Sequence, residues 1–188
     1  MIKIGITGSL ASGKTTASKI ISFRRGPLFS ADKAVKELYK NKHFKFLISK
    51  RFKIKNNSKL KKSLKKLILK NKDNIKKLEK IIHPQVRKKM KNFTAQNKHE
   101  KLLFYEIPLL IESKLMKYFN VIVLIKAKKK LRLNRFKSKS GDKKLFNLLN
   151  NKQMNDINKT KFCDHVVVNE KNLNILKKKL LVIISKYE

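Results

Sequence analysis

The sequence has little cysteine, no long apolar run and no N-terminal targeting pattern. Its one cysteine, Cys163, excludes an internal disulfide and fits a reducing, cytosolic compartment. The short apolar runs, such as Val121 to Ile125, are far below the roughly 20 residues of a membrane span. The N-terminus lacks a basic region followed by a long apolar stretch, which a secretion signal needs. We therefore expect a cytoplasmic protein that is not embedded in a membrane.

Acidic residues are also scarce: 12 stand against 50 basic ones, which gives a formal net charge of +38. So basic a chain invites nucleic acid as a partner. The basic residues, however, are mostly lysines spread through the whole sequence, and arginine, the usual base-reading residue, is rare. We therefore expect no specific nucleic-acid partner. The charge does favour small polyanionic ligands and would speed their encounter with a site.

The 188 residues, 41% of them apolar, suffice for one α/β domain with insertions. Short β-branched runs typical of buried strands alternate with stretches of helical periodicity. This alternation predicts a three-layer α/β fold with about five parallel strands and helices on both faces of the sheet. We assign the core to residues 1–35, 100–127 and 162–188.

Two helical insertions interrupt this core, at 36–99 and at 128–161. The first contains no strand pattern. Within it, His83-Pro84 is predicted to end one helix and begin another, because the residue before proline avoids helical angles. The second is basic, with a predicted break at 138–142. Ligands collect beyond the carboxyl ends of parallel strands, so both insertions are expected at that edge.

The most specific motif lies in the first sixteen residues, MIKIGITGSLASGKTT, which read as a strand, a loop and a helix start. The pattern G-x-x-x-x-G-K-[ST] indicates a P-loop, whose backbone N–H groups bind phosphate at a positive helix N-terminus. Lys14 reaches the β- and γ-phosphates, and Thr15 offers a hydroxyl to Mg²⁺. The motif therefore predicts binding of nucleotide phosphates with Mg²⁺, and leaves the choice between ATP and GTP open. The predicted cofactor-binding residues are Gly8, Ala11, Ser12, Gly13, Lys14, Thr15 and Thr16.

Two carboxylates follow short strands of the predicted sheet. Asp32 comes after a strand at Leu28-Phe29, which we expect next to the P-loop strand, and is a candidate general base for a hydroxyl acceptor. A helix N-terminal Asp favoured by the helix dipole is an equal alternative. Glu106 ends the third strand and could hold Mg²⁺ through water, or be an ordinary strand-end carboxylate.

Several basic residues are candidates for binding substrate. His83 and Arg87 could bind an anion or position the acceptor, although a histidine beside a proline is more often a structural turn residue. Arg132, Arg135 and Lys139 lie on the second insertion, which could cover bound nucleotide as a flap. Arginine is rare here and its planar fork suits phosphate, so Arg135 is the predicted catalytic member. For Lys139 a solvated helix face is favoured.

Five segments, in order, resemble the bacterial dephospho-CoA kinase family. ITGSLASGKTT resembles its TGGIGSGKST, and FRRGPLFSAD resembles its stretch that ends in DAD. IIHPQVR and YEIPLLIE resemble its HPxVR and D-x-PLL-x-E elements. Gln153, Asp164 and Asn169 match a late Gln, Ala-Asp and Asn pattern. Ser9 and Ser30 depart from the family pattern, since they replace a glycine and the first Asp of DAD.

The resemblance implies ATP-dependent phosphorylation of the ribose 3′-hydroxyl of dephospho-CoA, the last step of coenzyme A synthesis. It implies a P-loop kinase core with a helical acceptor-binding insertion at 36–99 and a helical lid at 128–161. It places the catalytic base on Asp32, acceptor contacts on His83 and Arg87, and a lid arginine on Arg135. Dephospho-CoA and ATP are then the partners, and a monomer is favoured.

Two other functions stay open from the residues alone. Another P-loop kinase, acting on a nucleoside monophosphate or a different small molecule, would use the same donor machinery. A nucleic-acid-binding P-loop protein, suggested by the charge of +38, is less favoured.

Overall fold

A parallel sheet forms the centre of the larger of two units, Met1–Ser30 with Asn97–Glu188. The computed structural model describes residues 1–71 and 73–188, and within them the sheet has five strands. All of its neighbouring strands pair in parallel, which confirms the predicted α/β fold. The strands are β1 (Ile2–Gly8), β2 (Leu28–Ser30), β3 (Leu102–Glu106), β4 (Val121–Lys126) and β5 (His165–Val168).

The strand order is β2-β3-β1-β4-β5, so β3 lies between β1 and β2. The expectation that the strand before Asp32 neighbours the P-loop strand is therefore wrong. The long crossover after β2 returns the chain to the centre of the sheet, where the fully buried β3 pairs with both neighbours. The carboxylate on the strand beside β1 is consequently Glu106, opposite Ile6 in the register.

The core explains why these segments form strands. β3 and β4 carry apolar residues on both faces, as strands buried in a parallel sheet do, and β1 is buried from Ile4 to Gly8. Two helices, α1 (Lys14–Ser22) and α9 (Leu173–Ile184), pack their apolar stripes on this sheet. Ile21 and Leu180, one from each helix, are fully buried in that cluster. This packing holds the sheet in place and so positions the carboxyl ends of β1, β3 and β4 at one edge.

The smaller unit, Ala31–Gln96, is helical. It contains α2 (Ala31–Leu38), α3 (Lys42–Phe52), α4 (Leu60–Lys70) and α5 (Asp73–Gln96). Their apolar faces meet in one cluster around Phe44, Ile48 and Leu64. This cluster gives the unit a hydrophobic core of its own.

Helix α5 runs through Pro84 without a break, so the predicted division at His83-Pro84 is wrong. Proline lacks the N–H that would bond one turn back, and it crowds that carbonyl. Apolar side chains on both sides of it, including Ile81, Ile82 and Val86, pack against the same cluster. Packing of this continuous stripe holds the helix together across the missing hydrogen bond.

Three short helices lie between β4 and β5, in the larger unit: α6 (Lys129–Lys137), α7 (Lys143–Asn150) and α8 (Asp156–Thr160). The side chains of Asp142 and Asn155 accept hydrogen bonds from backbone N–H groups at the starts of α7 and α8. The gap between α6 and α7 lies at the predicted break. Across the described part of the chain, no helix is long and apolar enough to cross a bilayer.

Replacing Pro84 by Ala should stabilise the protein by about 1–3 kcal/mol, because it restores a backbone donor inside α5 and removes a steric clash. Urea unfolding followed by far-ultraviolet circular dichroism measures the change. Gln85→Ala, at the next exposed position of the same helix, is the control and should change stability by less than about 0.5 kcal/mol. A Pro84→Ala variant no more stable than the control would contradict this account of α5.

Candidate functional site

The phosphate loop connects the end of β1 at Gly8 to the start of α1 at Lys14. Its two glycines have positive φ angles, 149° at Gly8 and 98° at Gly13. A Cβ at Gly8 would lie 2.1 Å from the Ile125 carbonyl oxygen, and one at Gly13 would lie 2.1 Å from Asn169 Nδ2. Conformation and space therefore both require glycine at these two positions.

Polar groups line the inside of the loop. Lys14, only 8% exposed, donates from Nζ to the Ser9 carbonyl at 2.9 Å, and the Ser12 N–H donates to the same oxygen at 3.1 Å. The Ser12 hydroxyl is buried and has no hydrogen-bond partner within the described residues. A cation, a free hydroxyl and a helix N-terminus thus converge in one loop, an arrangement suited to an anion.

Glu106 lies beside this loop and is 2% exposed. Its carboxylate accepts a hydrogen bond from Thr15 Oγ1 at 2.5 Å and another from Ser30 Oγ at 3.1 Å. Ser30, one of the departures from the family pattern, therefore donates to a buried carboxylate. An aspartate there would place a second negative charge against Glu106.

The Thr15 and Glu106 pair fits a magnesium ion by the chemistry of its donors. Mg²⁺ prefers oxygen ligands, keeps several waters and usually takes only one or two carboxylates alongside substrate phosphates. In the described residues, no cluster of three or more His, Cys, Asp or Glu side chains forms a cage for a metal. A hydroxyl beside a single buried carboxylate is consistent with a metal held jointly by protein and nucleotide.

Arg135 and Asn169 contact the other end of the loop. The Arg135 guanidinium donates to the Ser12 carbonyl at 3.3 Å and to the Asn169 carbonyl at 3.1 Å. Asn169 Nδ2 donates to the Ser12 carbonyl at 2.8 Å, and the residue is 8% exposed. The structure therefore brings Arg135 to the loop. It adds a role for Asn169, which the sequence matched to the late Asn of the family pattern without assigning it a function.

Arg132 is also at the loop and is not on a solvated helix face. It is 6% exposed, and its guanidinium donates to the Leu10 carbonyl at 3.2 Å and to Asn150 Oδ1 at 2.8 Å. Burial lowers the pKa of Arg132, and the nearby charge of Asp156 opposes that effect. Lys139, by contrast, is exposed.

The remaining candidates lie in the smaller unit. Asp32 is an exposed residue in the first turn of α2, two positions beyond Ser30. His83 and Arg87 are four apart on α5 and share one face of that helix. Burial lowers the pKa of the half-buried His83; Glu79 raises it and Arg87 lowers it further. The lowered pKa favours the neutral imidazole, in which one ring nitrogen is unprotonated and can accept a hydrogen bond.

Comparison with known proteins gives one consistent result. The family model described as dephospho-CoA kinase matches residues 2–174. A dephospho-CoA kinase of Bartonella henselae is 33% identical over 187 residues, which cover 97% of this chain and 96% of that protein.

Solved structures agree in fold. A protein from Thermus thermophilus is 25% identical with a TM-score of 0.82, over 100% of this chain and 98% of that one. The dephospho-CoA kinase of Campylobacter jejuni is 22% identical with a TM-score of 0.66, over 99% of this chain and 97% of that one. With a matching family model over nearly its full length and a relative at 33% identity, this chain belongs to the dephospho-CoA kinase family.

Proposed function

We propose that this protein transfers the γ-phosphoryl group of ATP to the ribose 3′-hydroxyl of dephospho-CoA. The observation that carries the proposal is the phosphate loop with buried Lys14 beside the Thr15–Glu106 pair, in a chain of this family. Phosphoryl transfer depends on positioning and on neutralising charge, and the loop offers both. Transfer forms a phosphate ester on the acceptor and releases ADP.

The donor half of the reaction belongs to the loop. Its backbone N–H groups and the Lys14 ammonium would bind the β- and γ-phosphates, and the Ser12 hydroxyl would supply a further donor. Magnesium, where bound, would be held by Thr15 and Glu106 and would neutralise phosphate charge. The Arg135 guanidinium, which uses two of its five N–H donors on carbonyls, has donors left for a phosphate oxygen.

Asp32 is the proposed catalytic base. It would accept the proton of the acceptor hydroxyl while that oxygen attacks the γ-phosphorus. Its exposure leaves the carboxylate accessible to a substrate, and the positive N-terminal end of α2 attracts negative charge. His83 and Arg87 would bind the acceptor, the arginine through phosphate charge and the histidine through a hydrogen bond.

Other assignments belong to the same proposal. Residues 36–99 would bind the acceptor, and 128–161 would cover the nucleotide as a lid. The protein would act in the cytoplasm as a monomer, without a specific nucleic-acid partner. The reducing cytoplasm suits its unpaired cysteine, and its lysines are spread through the sequence.

Incubating the purified protein with ATP, Mg²⁺ and a panel of acceptors tests the function. We expect ADP release to depend on dephospho-CoA and the product to carry its new phosphate on the 3′-oxygen. Nucleoside monophosphates, adenosine and single-stranded RNA are the comparison ligands. Phosphorylation of a nucleoside monophosphate but not of dephospho-CoA would replace the proposal with the rival kinase function.

Replacing Asp32 by Asn should lower kcat by about 10²-fold or more, the size expected when a general base is lost, with the Kd for ATP nearly unchanged. Steady-state kinetics and nucleotide titration measure the two quantities. Asp73→Asn is the matched control, because Asp73 is likewise exposed in the first turn of its helix, α5. Equal kcat in the two variants would remove Asp32 from the mechanism.

Replacing Glu106 by Gln should raise the Mg²⁺ concentration needed for half-maximal activity by about tenfold, because the site loses its buried negative charge. A magnesium titration at saturating ATP measures the shift. Glu100→Gln, at an exposed position before β3, is the control. Superimposable titration curves for Glu106→Gln and wild type would show that Glu106 does not hold the metal.

A further inference from the structure

The centre of the phosphate loop is a four-residue turn, Ser9 to Ser12, closed by the hydrogen bond from the Ser12 N–H to the Ser9 carbonyl. Its third residue, Ala11, has a φ of 58°, in the left-handed region that L-residues avoid. A positive φ at this position is the mark of a type II turn, which normally takes glycine there. Contacts from outside the turn can offset this strain at Ala11.

Type I and type II turns differ by a flip of their central peptide group. In this loop that group joins Leu10 to Ala11, so the direction of the Leu10 carbonyl decides which turn forms. With the carbonyl flipped, Ala11 would adopt the negative φ that suits alanine, and its N–H would point the opposite way.

Side chains from the segment between β4 and β5 hold the turn from outside. Arg132 Nη1 donates to the Leu10 carbonyl at 3.2 Å, and Gln153 Oε1 accepts from the Leu10 N–H at 2.7 Å. Asp156 accepts a hydrogen bond from the Ser9 hydroxyl. The three side chains bind two consecutive residues of the loop, and among them Arg132 binds the carbonyl that a flip would move.

Arg132 is itself held rigidly. Its Nε donates to the Ala127 carbonyl at 3.0 Å, its Nη1 donates also to Asn150 Oδ1, and its guanidinium lies 5.8 Å from the centre of the Phe146 ring. Phe146 is fully buried. A guanidinium fixed by contacts on several sides can hold a strained peptide, whereas a mobile surface side chain could not.

We propose that Arg132 is a positioning residue, which holds the Leu10–Ala11 peptide so that the Ala11 N–H faces the nucleotide phosphates. The inference rests on the proposed function, because it assumes that the loop binds a nucleotide. Arg132 thereby stabilises, through a side-chain hydrogen bond, the turn conformation that a glycine at position 11 would adopt without strain. It acts through the loop backbone and need not touch the substrate.

The test is a comparison of ATP binding by four variants, measured by calorimetric titration without acceptor and alongside Tm. Arg132→Met should weaken ATP binding about tenfold or more, since it removes a charge-assisted hydrogen bond from the loop. Arg51→Met, at an exposed position of α3, is the matched control and should leave binding unchanged. Asn150→Ala, which loosens Arg132 without removing it, should weaken binding by a smaller factor and serves if Arg132→Met does not fold.

The decisive variant combines Arg132→Met with Ala11→Gly. Glycine adopts a positive φ at no steric cost, so it should restore ATP binding to within about threefold of wild type. An Arg132→Met or Asn150→Ala variant that binds ATP like Arg51→Met would overturn the proposal. So would a double variant as weak as Arg132→Met. If wild type binds ATP but does not phosphorylate dephospho-CoA, the proposed function fails and the role of Arg132 in the loop does not.

Discussion

A phosphate-binding loop must keep consecutive backbone N–H groups turned to one side. The residues around the loop from Gly8 to Lys14 are arranged to meet this constraint. The loop has glycine only at its two ends, Gly8 and Gly13, where the Ile125 carbonyl and the Asn169 amide leave no room for a Cβ. Between them, larger residues occupy a turn that suits glycine. Side chains from the segment between β4 and β5 hold that turn, so the loop depends on residues more than 100 positions away in sequence.

The small number of acidic residues makes their positions informative. Of the 12 in the whole chain, Glu106 binds Thr15 and Ser30 and Asp156 binds Ser9, so both contact the loop or the start of its helix. Glu112 accepts the Met154 N–H. Lys159 Nζ, fully buried, lies 3.0 Å from Glu112 without hydrogen-bond alignment. These carboxylates neutralise part of the strongly positive charge around them. The excess of lysine elsewhere is mostly solvated and favours encounter with polyanions.

Local patterns predicted the parts of this fold that depend on local chemistry. The strand periods, the glycine loop and the break between α6 and α7 follow from spacing and turn residues. The position of β3 between β1 and β2 could not be predicted in this way. Strand order depends on the direction of a long crossover, and no local sequence pattern encodes that direction. The predicted helix break at Pro84 was wrong for a related reason. The free-energy cost of proline inside a helix is outweighed by tertiary packing of the apolar residues on both sides of it. Arg132 and Asn169 were named from the sequence, as a flap residue and as a family match, but their contacts with the loop depend on the folded chain.

The central claim is that the loop holds the phosphoryl donor while Asp32 receives the proton of the acceptor. A crystal structure with a non-hydrolysable ATP analogue, Mg²⁺ and dephospho-CoA measures it most directly. The account predicts phosphate oxygens on the N–H groups of residues 11–15 and the ribose 3′-oxygen within about 3.2 Å of the Asp32 carboxylate. Phosphates bound away from the loop, or a different hydroxyl group at Asp32, would contradict it.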